Sequence, residues 1–81
     1  RFVKSMDFSS DGKLLASGDW DGYVILWDVA TGNKLMNFVG HYHGYKDTRI
    51  ESIAFSPDGK IIASASSLPT IILIDVGRLL P

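Results

Sequence analysis

FSSDGKLLASG, residues Phe8–Gly18, returns as FSPDGKIIASA at Phe55–Ala65. The offset is 47 residues, and it holds on both sides without a gap. Upstream, Val3, Ser5 and Met6 fall on Ile50, Ser52 and Ile53. Downstream, VILWDV at Val24–Val29 falls on IILIDV at Ile71–Val76. So long an ungapped register is an internal duplication, and a period of this size points to a repeat architecture.

Each unit reads as short strands. β-Branched and aromatic residues cluster in short runs, and Asp-Gly or Thr-Gly-Asn signals separate them. Strands are expected near 2–8, 13–18, 23–28 and 34–39, then near 49–55, 60–65 and 70–75. Val3, Met6 and Phe8 depart from strict alternation by one residue, as do Ile50, Ile53 and Phe55. This predicts a β-bulge at the same point of both units. Phe-Ser-x-Asp-Gly-Lys is the hairpin turn after the first strand of each unit, with Gly12 and Gly59 supplying the positive φ.

Gly40-His41 opens a unit, Phe55-Ser-Pro-Asp-Gly59 sits in its middle, and Trp27-Asp28 closes the preceding one. With these motifs at these places, the chain resembles the WD-repeat (WD40-type) β-propeller family over essentially its whole length. The resemblance implies an all-β fold: one antiparallel four-stranded blade, residues 1–39, and a second, incomplete unit, residues 40–81. Propellers close with about four to eight blades, so neighbouring blades are expected from a longer parent chain or from other copies. The start at Arg1 rather than Met favours a fragment.

Composition narrows the classes of function. Eight basic and nine acidic residues leave a net charge of −1, so bulk electrostatics draw the chain neither to nucleic acid nor to anionic membrane. With no cysteine, a disulfide framework and a thiolate metal site are excluded. Apolar runs such as Ile71–Ile74 are too short to span a bilayer, and no signal peptide is visible. The compartment stays open, with the cytoplasm as the default.

SGDWDGYVILWD, Ser17–Asp28, also matches part of a calcium-binding loop, with Asp19, Asp21, Gly22 and Asp28 at positions 3, 5, 6 and 12. Ser17 stands where Asp is needed, Asp28 where a bidentate Glu is needed, and both flanks read as strands. Leu68, Pro69 and Ile74 occupy the repeat positions of Asp21, Gly22 and Trp27, so the stretch reads as a structural hairpin. His41, His43 and Asp47 lack a third fixed ligand pattern for a metal. Gly12-Lys13 and Gly59-Lys60 lack the rest of a phosphate-binding loop, and no serine lies in a nucleophile elbow. Neither catalysis nor a cofactor is expected.

The resemblance implies a buried network linking a loop histidine, a second-strand Ser, a turn Asp and a third-strand Trp. In the first unit the matching positions are Ser17, Asp21 and Trp27, and the histidine would precede Arg1. In the second they are His41 and Ser64, with Leu68 and Ile74 replacing Asp and Trp, so that tetrad is degenerate. The indole N–H of Trp27 needs an acceptor such as the Ser17 hydroxyl.

The resemblance also implies partner binding on the propeller face that carries the loops before the first strand and between the second and third. The positions there are Phe2, Lys4, Trp20, Arg49 and Glu51, and the inserted stretch HYHGYKDTR adds Tyr45. Trp20 is the leading candidate: an aromatic in a turn with acidic neighbours suits an interface hot spot. The plainer reading packs it on a neighbouring blade. The function implied is a non-catalytic protein-interaction scaffold that binds a protein or peptide. The alternatives are a propeller attached to or gating an enzyme, and a small chain that self-assembles.

Overall fold

The computed structural model describes residues 2–39, 49–66 and 71–79. Among them the elements are β1 (Val3–Phe8), β2 (Leu14–Asp19), β3 (Tyr23–Asp28), β4 (Lys34–Val39), β5 (Ile50–Phe55), β6 (Ile61–Ser66), β7 (Ile71–Asp75) and α1 (Val76–Leu79). Strands β1-β2-β3-β4 form one antiparallel sheet in chain order, and β5-β6-β7 form a second. This is the expected all-β arrangement of one four-stranded and one three-stranded sheet, not closed within the chain. α1 is the addition: Asp75 ends β7 and its carboxylate accepts the Arg78 backbone N–H at 3.2 Å, capping a single turn.

The bulges lie where the broken alternation predicts them. The β1–β2 register shifts between Val3 and Ser5, and the β5–β6 register shifts between Ile50 and Ser52. Each first hairpin turns through a glycine at positive φ, 75° at Gly12 and 74° at Gly59. The turns are held alike. The Ser9 hydroxyl donates to Asp11 at 2.7 Å and accepts Leu14 N–H, while Asp11 accepts Lys13 N–H. Ser56, Asp58, Lys60 and Ile61 repeat the pattern. Lys13 and Lys60 thus belong to the turns, and β2 and β6 begin one residue later than the sequence suggests.

Strand alternation sorts the side chains. Leu14, Ala16, Val24, Leu26, Met36 and Phe38 of the first sheet face the second. There they meet Ile50, Ile53, Phe55, Ile62, Ile72 and Ile74, with Val76 of α1 closing one end. Each fully buried Val, Leu or Ile here contributes about 1.5–3 kcal/mol. Gly18 fixes how closely the sheets approach, because a Cβ there would lie 2.9 Å from Ile50 Cβ and 3.0 Å from Ile53 Cγ1. The remaining faces point outward: Met6, Phe8, Leu15, Ser17, Ile25 and Trp27 on the first sheet, and Ala54, Ala63, Ala65, Ile71 and Leu73 on the second.

β1 and β5 run beside each other without sharing a ladder. Side chains join them instead: Ile53 N–H donates to the Ser5 hydroxyl at 3.0 Å, and Phe55 N–H donates to the Asp7 carboxylate at 2.7 Å. The Ser10 hydroxyl donates to the Pro57 carbonyl at 3.0 Å, tying the two turn tips together.

Asp7→Ala is expected to destabilise the chain by about 1–3 kcal/mol, because it leaves the Phe55 amide without its charged acceptor. Urea unfolding checks this, and an unchanged midpoint would show that the bond contributes nothing.

The turn carboxylates predict an acid dependence. The Ser9 hydroxyl, then the Lys13 amide, hold the Asp11 carboxyl below its ordinary value of 3.8; Ser56 and the Lys60 amide do the same for Asp58. A depressed folded-state pKa adds stability above the unfolded value, and that stability is lost as pH falls through the folded one. Asp11→Asn/Asp58→Asn should therefore show a shallower fall in urea midpoint below pH 3.8 than the parent chain.

Candidate functional site

The β2–β3 turn is built around a carboxylate that the sequence motif passes over. Asp19, only 3% exposed, accepts the backbone N–H of Asp21 at 2.9 Å and of Tyr23 at 3.1 Å. Gly22 N–H donates to the Asp19 carbonyl at 3.3 Å, with Gly22 at φ 89°. The amides of Asp21 and Tyr23 thus go to Asp19, while the Asp21 side chain, a network position in the sequence reading, lies exposed. The physical reason is reach. A carboxylate at the first position of a turn meets the amides two and four residues on as an Asx-type cap. The signal was in the sequence, since Asp19 stands two residues before an Asp-Gly pair.

Trp20 sits next in this turn, and its N–H donates to the Phe2 carbonyl at 3.0 Å. The Phe2 ring lies 5.0 Å from the Trp20 ring, tilted by 57°, and the Arg49 guanidinium carbon sits 4.5 Å from the Trp20 ring centroid. Phe2 and Arg49 occupy the same position of the two units, 47 residues apart, so the duplication itself delivers both to one indole. Trp20 keeps 37% of its surface exposed and Phe2 70%. A tilted aromatic contact and a cation over an indole face each add about 0.5–1.5 kcal/mol. Lys4 and Glu51, the residues inside the two bulges, are exposed at the same end. The structure therefore brings Phe2, Trp20 and Arg49 into contact and sets Lys4 and Glu51 nearby. Tyr45 lies outside the described residues, as does His41.

Of the network positions, Trp27 Nε1–H donates to the Ser17 hydroxyl at 2.9 Å, joining β3 to β2 on the first sheet's outward face. Ser17 is buried, Trp27 is half-buried, and Lys34 Nζ lies 6.0 Å over the indole. Ser64, at the matching place on β6, is 1% exposed. Among the described residues, no group of three or more His, Asp or Glu side chains could hold a metal ion.

A family model described as WD domain, G-beta repeat matches residues 1–28 and 32–75. The chain belongs to the WD-repeat family. A solved WD-repeat neighbour, the β-propeller domain of Cps50 (Swd1) from Myceliophteria thermophila, superposes with a TM-score of 0.82 at 31% identity. That match covers 93% of this chain and 21% of the neighbour. A small ribosomal subunit protein, RACK1y, from Oryza sativa subsp. japonica is 55% identical over 31 residues, 38% of this chain and 9% of the relative. A pre-rRNA-processing protein, IPI3, from Mycosarcoma maydis is 47% identical over 34 residues, 42% of this chain and 6% of the relative. An uncharacterized WD repeat-containing protein of Nostoc sp. is 49% identical over 39 residues, 48% of this chain and 3% of the relative. The chain thus spans less than a tenth of each of these curated relatives.

The WD-repeat blade predicts a specific cost for its Trp–Ser bond. Trp27→Phe keeps most of the ring and removes the donor, so it should cost about 0.5–1.5 kcal/mol. A double-mutant cycle with Ser17→Ala isolates the bond. Strictly additive losses would show that the two side chains do not couple.

Proposed function

We propose that this chain supplies two neighbouring blades to a WD-repeat propeller that acts as a non-catalytic scaffold, binding a protein or peptide partner through Trp20 and its surroundings. The observation that carries this reading is the stack at the end of the sheets. A half-exposed indole is flanked by Phe2 and Arg49 and held by its own backbone bond to Phe2. Aromatic and arginine side chains are enriched at interface hot spots, and rigid aromatics lose little conformational freedom on binding. Lys4 and Glu51 offer charges of both signs beside the ring, which sets orientation more than strength. Two similar proteins carry names that place them in larger assemblies or processing machinery, a small ribosomal subunit and pre-rRNA processing. That supports a role in assembly for this chain too.

Selection of binders from a displayed random-peptide library against the chain tests the proposal. Trp20→Ala should keep the circular dichroism spectrum of the folded chain and lower its stability by no more than about 1–3 kcal/mol, the worth of the two ring contacts. It should weaken the selected peptides by about thirtyfold, the loss typical of a hot-spot residue. Binders unaffected by Trp20→Ala would remove this end of the sheets as the contact surface.

A further inference from the structure

Asp-Gly occurs three times, at Asp11–Gly12, Asp21–Gly22 and Asp58–Gly59, and each glycine sits in a turn at positive φ. At such a pair a chain can rewrite its own backbone, because glycine puts no side chain in the way of the neighbouring carboxyl. The glycine nitrogen attacks the aspartate Cγ, an N–Cγ bond forms, and the acid hydroxyl leaves with the amide proton as water. The product is a cyclic imide. Water then adds to the α-carbonyl of the imide, and the bond from that carbon to nitrogen breaks. The chain now runs through Cβ and Cγ, the α-carboxyl is released, and the composition is unchanged. We propose that Asp21–Gly22 is the pair that undergoes this isomerisation in the folded chain, while the turns protect the other two.

Asp11 accepts the Ser9 hydroxyl at 2.7 Å and the Lys13 amide at 2.9 Å, both on Oδ1. Asp58 accepts the Ser56 hydroxyl at 2.6 Å and the Lys60 amide at 3.0 Å in the same way. The serine hydroxyls first, and the lysine amides second, thus hold both acids below their ordinary pKa. Attack needs the opposite, a neutral acid turned back on its own glycine. At Asp21 both of these holds go elsewhere. Two residues before it stands Asp19, a carboxylate that accepts where Ser9 donates, and the amide two residues after it, that of Tyr23, bonds to Asp19 at 3.1 Å. The glycine nitrogens differ too: Gly12 and Gly59 donate to carbonyls at 2.9 Å, Gly22 at 3.3 Å. Asp21 is exposed to the water that the second step consumes, and Gly22, though covered, is attacked by its own neighbour. The product changes the turn, because Asp19 Oδ1 grips the amides of Asp21 and Tyr23 together and the added methylene enters the chain between them. Isomerisation is read from peptides alone, so its failure leaves the partner surface at Trp20 untouched.

Trypsin puts the three pairs on separate peptides, Ser5–Lys13, Leu14–Lys34 and Ile50–Lys60. The folded chain is held at neutral pH and body temperature, digested, and each peptide is labelled by an isoaspartyl methyltransferase with S-adenosylmethionine. Leu14–Lys34 should gain label about tenfold faster than either other peptide, the ratio that one charged hydrogen bond makes in a barrier. In urea, where the turns are lost, the three rates should converge. Asp21→Glu lengthens the side chain so that the small imide ring no longer closes readily, and should remove nearly all label from Leu14–Lys34. Ser56→Ala removes one hold on Asp58 and should raise the rate in Ile50–Lys60 severalfold. Circular dichroism checks that both variants fold; should Ser56→Ala misfold, Ser9→Ala tests the same hold in Ser5–Lys13. Equal rates in the folded chain, a tenfold ratio that persists in urea, label that survives Asp21→Glu, or a serine variant whose peptide reacts no faster each overturns the proposal.

Discussion

Everything in this structure depends on how two sheets that share no ladder hold the edges of their first strands together. A strand edge presents backbone N–H groups that must be satisfied, and a flat continuation of the sheet would satisfy them by adding another strand. Here β1 reaches across with side chains, the Ser5 hydroxyl and the Asp7 carboxylate, to the Ile53 and Phe55 amides. That choice lets the second sheet stack on the first face to face instead of extending it. Stacking brings Val24 and Leu26 against the isoleucines of β5, β6 and β7. Gly18 is the steric counterpart of the clamp, because only a residue without a side chain lets Ile50 and Ile53 come as near as the two bonds demand.

The duplication explains why one clamp can organise so much. Each unit carries its own hairpin turn, with a serine, an aspartate and a left-handed glycine in fixed places, and each folds its strands by local bonds. Between units, among the described residues, there remain apolar packing, two edge bonds, the Ser10–Pro57 tether and the Arg49–Trp20 contact. Stability in such an array is close to a sum of unit terms and nearest-neighbour terms. A change within one turn is therefore felt mainly by its own unit, while a change at Asp7 or Gly18 is felt by both.

Strand number, bulge position and turn chemistry were legible from the sequence because they repeat: a pattern found twice at one offset outweighs any single propensity. The Trp27–Ser17 bond was legible for a different reason, since a partly covered indole N–H has few acceptors within reach. What the sequence concealed was mostly a matter of direction. The motif in Ser17–Asp28 offers three acids, and only backbone geometry shows that Asp19 turns inward while Asp21 turns out. The meeting of Phe2 and Arg49 on Trp20 was equally hidden, although all three were candidates, because the Arg49 contact crosses from one unit to the next. The short α1 depends on one Asp75 carboxylate reaching the Arg78 amide, too local a signal to stand out beside a strand run.

The buried Asp19 has a consequence for the speed and selectivity of recognition. Its two bonds to the turn backbone fix the path of the chain through Trp20, and Phe2 and Arg49 restrict the indole before any partner arrives. The freedom that a mobile loop would surrender on contact is thus already absent in the unbound chain. A surface of that kind favours ligands that fit its standing shape, and differences among them are read mainly in how long they stay rather than in how fast they arrive.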